Sequence, residues 1–387
     1  MKKYILPKGF SSAGIHSGIK KRKKDTGLIY SEKPCNAAAM FTSNNLKSAH
    51  IISDKKKING KISAIFTNSG NANVFTGRQG IKDIEKITAQ AGKLLGLKGK
   101  AVLSASTGII GKLLPVKKIL KSLPVLVSGL SKKDENFPKS IMTTDLSQKV
   151  YVKKLKLGKK TVTITGAAKG AGMINPNMAT MLAFIMTDAS VTKAVLKQAL
   201  KSAVEGSFNR VTVDGDTSPN DSVIILANGA SGVKIGSGNY SKFKSAIYEV
   251  CLFLAEEIVK DGEGATKFIK ITVKNAKSEA QAKKTAEAMA NSLLFKTAAF
   301  GESVNFGRIP SNIGVTGEKI NIDKVKAWLN KKMIISNGKI LKAKGVKNEV
   351  KKKEIEYTIS LGTGNKEYFV LTTDLSYQYV KINAEYS

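Results

Sequence analysis

Thr161-Val162-Thr163-Ile164-Thr165 and Met181-Leu182-Ala183-Phe184-Ile185-Met186-Thr187 enclose the stretch on which the reading of this chain turns, Gly166-Ala167-Ala168-Lys169-Gly170-Ala171-Gly172-Met173-Ile174-Asn175-Pro176-Asn177-Met178-Ala179-Thr180. The first flank is rich in β-branched residues and reads as a strand. The second is a continuous apolar run, the pattern of a strand buried on both faces. Outward from this pair, residues 62–67, 222–227 and 268–273 read as further strands. Helical stripes lie between them: Ile84, Ile87, Ala91 and Leu94; then Leu196, Leu200 and Val204, with Gly206 as a stop; then Phe243, Ile247, Val250, Leu254 and Ile258. Residues 278–294 are rich in helix formers, and the lysine-dense segment 324–353 reads as a surface helix followed by an exposed hairpin. Interspersed strands and helices predict a layered α/β or α+β fold.

The net charge of +35 raises the question of a nucleic-acid partner. Only Arg22, Arg78, Arg210 and Arg308 carry the guanidinium fork that specific phosphate and base recognition favours. The lysines are spread along the chain, densest at Lys20-Lys21-Arg22-Lys23-Lys24, and read as solvated faces, with no nucleic-acid partner expected. Such a field still attracts an acidic substrate. No run of eighteen apolar residues predicts a membrane span, and the N-terminal residues break at Pro7 and Gly9 before any signal-peptide core develops. Cys35 and Cys251 are too few for a disulfide framework and lack metal-ligand spacing. A cytoplasmic protein without membrane association is the expectation.

Histidine occurs only as His16 and His50. No H-E-x-x-H, G-x-S-x-G, P-loop or G-x-G-x-x-G is present, so zinc, NTP and dinucleotide chemistry recede and no metal or cofactor is expected. The glycine-rich stretch instead ends at a threonine that opens a strand. Glycines there permit strained backbone, and Asn175-Pro176-Asn177 adds a turn. Such a loop reads either as a plain connection or as a device that presses the Ala179 carbonyl toward the Thr180 hydroxyl. In the second reading an N→O acyl shift and hydrolysis free Thr180 as a new N-terminus. Its α-amine, with an ordinary pKa of roughly 8, then serves as general base. No catalytic histidine is needed.

Residues Lys169-Gly170-Ala171-Gly172-Met173-Ile174 and Asn177-Met178-Ala179-Thr180-Met181-Leu182 resemble the cleavage-site signature of the ornithine acetyltransferase family of arginine biosynthesis. Further blocks resemble that family in the same order: Thr67-Asn68-Ser69-Gly70-Asn71-Ala72-Asn73, Ser106-Thr107-Gly108-Ile109-Ile110-Gly111, Ile141-Met142-Thr143-Thr144-Asp145, Asn209-Arg210-Val211-Thr212-Val213-Asp214-Gly215-Asp216 and Asp261-Gly262-Glu263-Gly264-Ala265-Thr266-Lys267. Tyr379-Val380-Lys381-Ile382-Asn383-Ala384-Glu385-Tyr386 closes the chain, so the resemblance spans its length.

The resemblance implies a glutamate N-acetyltransferase that moves acetyl from N-acetylornithine to glutamate through an ester on Thr180. It implies cleavage between Ala179 and Thr180 into an α chain, 1–179, and a β chain, 180–387, assembled as an α2β2 heterotetramer. It implies an α/β/β/α-type sandwich akin to N-terminal-nucleophile hydrolases, with different connectivity. Thr107 and Gly108 match the oxyanion-hole pair, although alone they read as a turn after a strand at 101–104. Thr143, Lys169, Thr180, Glu263 and Asn383 match substrate contacts; alone, Lys169 reads as a surface lysine and Glu263 as a turn residue. The acidic run 214–221 does not fit a calcium loop and reads as a turn packed near the site. Some family members also accept acetyl-CoA, which enters as a co-substrate rather than a cofactor.

Two departures stand out. The family usually places a Ser or Thr five residues after the asparagine matched by Asn383, whereas here Ser387 follows by four. Glu302-Ser303-Val304-Asn305-Phe306-Gly307-Arg308 stands where the family has Asp-Pro-Asn-Trp-Gly-Arg, a change expected to alter packing rather than chemistry. The competing expectations are a self-processing aminopeptidase or amidase of related architecture, and a basic nucleic-acid-binding protein in which Thr180 is dispensable.

Overall fold

A computed structural model describes residues 3–175 and 181–385. Ala179, Thr180 and Ser387 therefore lie outside the described residues. The chain divides into two compact units, Met1–Asn209 with Asp216–Ile258, and Arg210–Gly215 with Val259–Ser387. The expected boundary between residues 179 and 180 falls within the span of unit 1 and does not coincide with this division.

Unit 1 is built on an open eight-stranded sheet: β1 (Phe10–Ile15), β2 (Thr26–Phe41), β3 (Ile62–Asn71), β4 (Val102–Ile109), β5 (Lys149–Leu157), β6 (Lys160–Lys169), β7 (Leu182–Thr187) and β8 (Ser222–Ala227). The strand order is β4-β3-β2-β8-β7-β6-β5, with β1 paired to β2. β2 is long enough to serve two neighbourhoods. Its first half pairs with β1 and β3, and its second half, Asn36 to Phe41, pairs antiparallel with β8. β3–β4 and β7–β8 are parallel.

Both faces of this sheet are covered, as period-2 geometry requires. Leu28, Phe66 and Val102 join a core with Ile84, Ile87, Ala91, Ile119 and Leu123. Those last five come from the helices α2 (Gly77–Leu94) and α3 (Val116–Ser128); Leu94, at the end of the α2 stripe, is half-exposed. The neighbouring residues Ile29, Ile65 and Leu103 belong to a second core with Phe137, Leu182, Phe184 and Met186. Every residue of β7 and β8 is buried, as the continuous apolar runs predict. The remaining unit 1 helices are α1 (Ala49–Lys55), α4 (Phe137–Ser140), α5 (Lys193–Gly206) and α6 (Ser237–Lys260). α5 stops at Gly206, and the α6 stripe Phe243, Ile247, Val250, Leu254 and Ile258 is fully buried. That helix lies so close to β6 that a Cβ on Gly166 would meet Val250 Cγ1 at 2.6 Å.

Unit 2 carries an open six-stranded sheet, β9 (Phe268–Ala276), β10 (Lys326–Leu329), β11 (Lys332–Ser336), β12 (Lys339–Ile340), β13 (Glu354–Ser360) and β14 (Lys366–Thr373), in the order β12-β11-β10-β13-β9-β14. Its helices are α7 (Glu279–Ala290), α8 (Leu293–Phe300), α9 (Arg308–Gly314), α10 (Val346–Val350) and α11 (Tyr377–Glu385). Two expectations need correction here. Residues 278–294 are not one helix: Ser278 Oγ caps α7 by accepting from Gln281 N, and Ser292 Oγ starts α8 by accepting from Phe295 N. Residues 324–353 are not a surface helix and an exposed hairpin. They form three strands before the short α10, and Ala327, Leu329 and Ile334 are fully buried in the unit 2 core. Phe306, at the family's Trp position, is buried in that same core.

The layered α/β expectation holds. Among the described residues, no helix is long and apolar enough to cross a membrane.

Candidate functional site

The C-terminal ends of β3 and β4 form an irregular parallel pair in which Ser69 faces Thr107 and Gly70 faces Gly108, with a register shift at Asn71. Thr107 and Gly108 thus belong to β4 itself rather than to a turn after residue 104. Gly108 has φ 132° and Gly70 has φ 96°, values that disfavour a side chain. A Cβ on Gly108 would lie 2.4 Å from the carbonyl carbon of Gly70. Two glycines facing one another let the strand ends approach at the place where the resemblance puts the oxyanion pair.

Lys169 ends β6 and is 2% exposed, which corrects its reading as a surface lysine. Its Nζ donates to Thr107 Oγ1 at 3.3 Å. Beside it, Asp145 acts as a hub. Its Oδ1 accepts from Lys149 Nζ at 2.7 Å and from Gly170 N at 2.8 Å, and its Oδ2 accepts from Thr143 N at 2.9 Å. Burial alone would raise the Asp145 pKa. The charges of Lys149 and Lys169, with the hydrogen bonds from Lys149 and Gly170, outweigh burial and hold it well below the ordinary carboxylate range. One buried carboxylate therefore ties Thr143 and the residue after Lys169 together, and Lys169 carries the link to Thr107.

The second half of the acidic run packs next to β4, in line with its reading as a turn near the site. Asn220 Nδ2 donates to Ser106 O at 2.7 Å and to Ala72 O at 2.6 Å. The residue after it closes the acidic run, which gives it no individual role in the sequence. Asp221 is fully buried, and its Oδ1 accepts from Met181 N at 2.8 Å. Its Oδ2 has no hydrogen-bond partner among the described residues. Burial pushes the Asp221 carboxyl well above its usual range, against the opposing pull of the Met181 amide and Lys169. A buried carboxyl is thus anchored on the residue that follows Thr180 in the chain. The available signal was an acidic residue placed directly before the wholly apolar strand 222–227.

His50 is also buried, and burial lowers its pKa to about 3. Its Nδ1 lies 2.7 Å from Ser48 Oγ and accepts from Ser106 N at 3.4 Å, and its Nε2 lies 3.1 Å from Ser222 Oγ. Acceptance at Nδ1 assigns the proton to Nε2. This neutral imidazole ties α1 to β4 and β8.

In unit 2, Asn383 Nδ2 on α11 donates to Glu263 Oε2 at 2.9 Å. Gly264 makes room for this contact, since a Cβ there would lie 2.4 Å from Tyr379 N. Asp374 pins the following loop by accepting from Thr266 N at 2.9 Å and Lys267 N at 3.0 Å. The expected site residues thus form two groups: Thr107, Gly108, Thr143 and Lys169 in unit 1, and Glu263 and Asn383 in unit 2. Glu302, from the second departure, pairs with the buried Lys267 at 3.1 Å.

The sequence pattern of the ArgJ family matches residues 11–387. The chain belongs to the ArgJ family. Among its relatives, the arginine biosynthesis bifunctional protein ArgJ of Caldanaerobacter subterraneus subsp. tengcongensis is 43% identical over 99% of this chain and 98% of its own length. The protein of the same description from Geobacter sulfurreducens is 42% identical over 98% of this chain and 99% of its own. A solved structure of ornithine acetyltransferase complexed with ornithine, from Mycobacterium tuberculosis, is 30% identical; it covers 46% of this chain and 96% of that chain, with a TM-score of 0.40.

Proposed function

We propose that this ArgJ-family chain is a glutamate N-acetyltransferase of arginine biosynthesis that cuts itself between Ala179 and Thr180 and uses Thr180 as its nucleophile. The observation that carries the reading is the cluster of buried Lys169, Thr107 and Asp145 with the half-buried Thr143, in a chain that matches the family along nearly its full length.

Thr180 Oγ attacks the acetyl carbon of N-acetylornithine while the Thr180 α-amine takes the hydroxyl proton. The tetrahedral oxyanion is met by Thr107 and Gly108. Lys169 donates to Thr107 Oγ1, so the Thr107 hydroxyl proton remains to point at that oxyanion. The C–N bond then breaks, ornithine leaves with the proton returned by the α-amine, and an acetyl ester stays on Thr180. The glutamate amine attacks this ester, the C–O bond breaks, and N-acetylglutamate departs as the threonine hydroxyl is restored. Lys169 pairs with the α-carboxylate that both amino acids share, beside Thr143. Glu263, steadied by Asn383, accepts from a substrate amine. Asp221 holds the amide of Met181 and so fixes the chain next to the nucleophile.

The relatives from Caldanaerobacter subterraneus and Geobacter sulfurreducens are described as bifunctional, which supports acetyl-CoA as a second acetyl donor. The two fragments pair as α2β2 in the cytoplasm. Wild type and Thr180→Ala, expressed in parallel, test the core of this reading. The wild type is expected as two fragments that transfer acetyl from N-acetylornithine to glutamate, and Thr180→Ala as one inactive chain. An uncut wild type or an active Thr180→Ala overturns it, and hydrolysis of peptide amides without an amino-acid acceptor points to the aminopeptidase class instead.

A further inference from the structure

Lys57 follows the end of α1 and is 7% exposed. Its Nζ donates to Thr88 Oγ1 at 3.1 Å and to Val102 O at 3.3 Å, both neutral acceptors. An ammonium has three protons to donate, and Lys57 forms no ion pair among the described residues. Asp54, the nearest carboxyl in sequence, spends its oxygens elsewhere: Oδ2 accepts from Ser104 N at 2.9 Å and Oδ1 from Ser104 Oγ at 3.2 Å. A buried ammonium left with a spare donor and no direct ion-pair partner is costly, and burial lowers the Lys57 pKa against the opposing charges of Asp54 and Glu85 nearby.

This side chain stands on the wall of a cavity of about 220 Å³, lined also by Ser53, Lys56, Glu85, Thr88 and Lys100. Three lysines face a single glutamate there. Ser53 contributes a second unmet group, for its buried Oγ has no hydrogen-bond partner among the described residues. An excess of positive charge, an unpaired buried ammonium and an unpartnered hydroxyl converge on one small space.

We infer that this cleft between α1, α2 and the start of β4 is a binding site for a small oxyanion, a carboxylate- or phosphate-bearing metabolite carrying two negative charges. Lys57 and Ser53 contact the oxyanion from the buried wall, and Lys56 and Lys100 close over it from the rim. The site is separate from the Lys169 cluster and does not depend on Thr180. Its occupancy bears on β4 through α1, because Asp54 and His50 of that helix bond Ser104 and Ser106 of the strand.

Titration calorimetry at 150 mM salt with inorganic phosphate and, separately, succinate tests the site, the two arms telling phosphate from carboxylate ligands. One saturable equivalent of either anion is expected for the wild type. Binding should weaken at least tenfold in the rim variant Lys56→Ala/Lys100→Ala, whose residues are exposed and leave the fold intact, and disappear in Lys57→Met. It should persist in Lys169→Met and in the charge-matched control Lys351→Ala/Lys353→Ala, whose lysines belong to unit 2. Absence of a saturable site for both anions overturns the inference. So does binding that survives the rim changes, or binding lost in Lys169→Met or equally in the charge-matched control.

Discussion

At Asp145 a single carboxylate accepts from the Lys149 ammonium and from the amides of Thr143 and Gly170, with both members of the ion pair at no more than 2% exposure. Replacing only one partner strands the other as a buried charge, which typically costs about 3–5 kcal/mol. Asp145→Leu is expected to lose stability of that order, read as a lowered urea midpoint, whereas Asp145→Leu/Lys149→Met recovers part of it, because the buried Lys169 still loses the Asp145 charge. Recovery should not extend to activity, because the Thr143 and Gly170 amides lose their acceptor in both variants. Gly108 argues from space rather than charge. At φ 132°, with Gly70 backbone 2.4 Å from a hypothetical Cβ, Gly108→Ala forces β3 and β4 apart where the oxyanion donors are proposed. The loss of one aligned donor costs roughly a hundredfold or more in rate. We expect at least that fall in kcat, while Ala substitution at Gly99, φ 68° with open space around it, leaves kcat unchanged. Equal kcat losses at both positions would remove the argument from close approach.

Helix α1 joins two tasks, since it anchors β4 through Asp54 and positions Lys57. Burial raises the Asp54 pKa from 3.8 to about 7, against the lowering effects of Ser104 and Lys57. An acid with a raised folded-state pKa holds its proton in the native state while the unfolded chain has already released it. Its contribution to stability therefore falls as pH rises from about 4 to about 7 and is flat above, with a slope of at most about 1.4 kcal/mol per pH unit. Asn at this position keeps an acceptor for Ser104 N and does not titrate. Urea unfolding of wild type and Asp54→Asn across pH 4–8 should show the variant gaining on the wild type up to pH 7; parallel curves would refute the assignment. Elements of this kind differ in how far the sequence reveals them. Residues 222–227 read correctly as a strand because every side chain is apolar and both faces are covered. β4 reads short, as 101–104, because its later residues Ser106 and Thr107 are polar and are satisfied by Asn68 and Lys169 from elsewhere in the chain. β10 was hidden by lysine: Ala327 and Leu329 alternate inward, but Lys326 and its basic surroundings resemble a solvated helix. Lys169 is recognisable as a site residue only through the family blocks, since its burial depends on Asp145, a partner that no local pattern supplies. Asp221 is legible only as the end of an acidic run near the site; its bond to Met181 is not, being defined by the register that sets β8 beside β7.

For the molecule as a whole, the sheet order decides what the proposed self-cleavage would do to unit 1. The proposed cut after residue 179 would assign β1 to β6 to one fragment and β7 and β8 to the other. In the sheet, β7 and β8 nevertheless lie between β2 and β6. β7 is bonded to β6 from Lys169–Leu182 to Ile164–Thr187, and β8 is bonded to β2 from Phe41–Ser222 to Asn36–Ala227. Separation of the fragments would break both ladders and expose two strands whose side chains are all buried. Each buried Leu, Ile, Val, Phe or Met side chain is worth about 1.5–3 kcal/mol against exposure, and the edges of the remaining strands would be left unpaired. Cleavage is therefore expected to leave one folded particle. Fragments 1–179 and 180–387 should co-elute in size-exclusion chromatography in native buffer, and at 1 M salt as well, since the ladders and the apolar core do not depend on charge. They should resolve only in denaturant, with unfolding midpoints that coincide when fluorescence and circular dichroism are compared. Fragments that part in native buffer would show that the interleaved ladders do not hold them together. Fragments that part only at high salt would assign their association to surface charge rather than to the sheet.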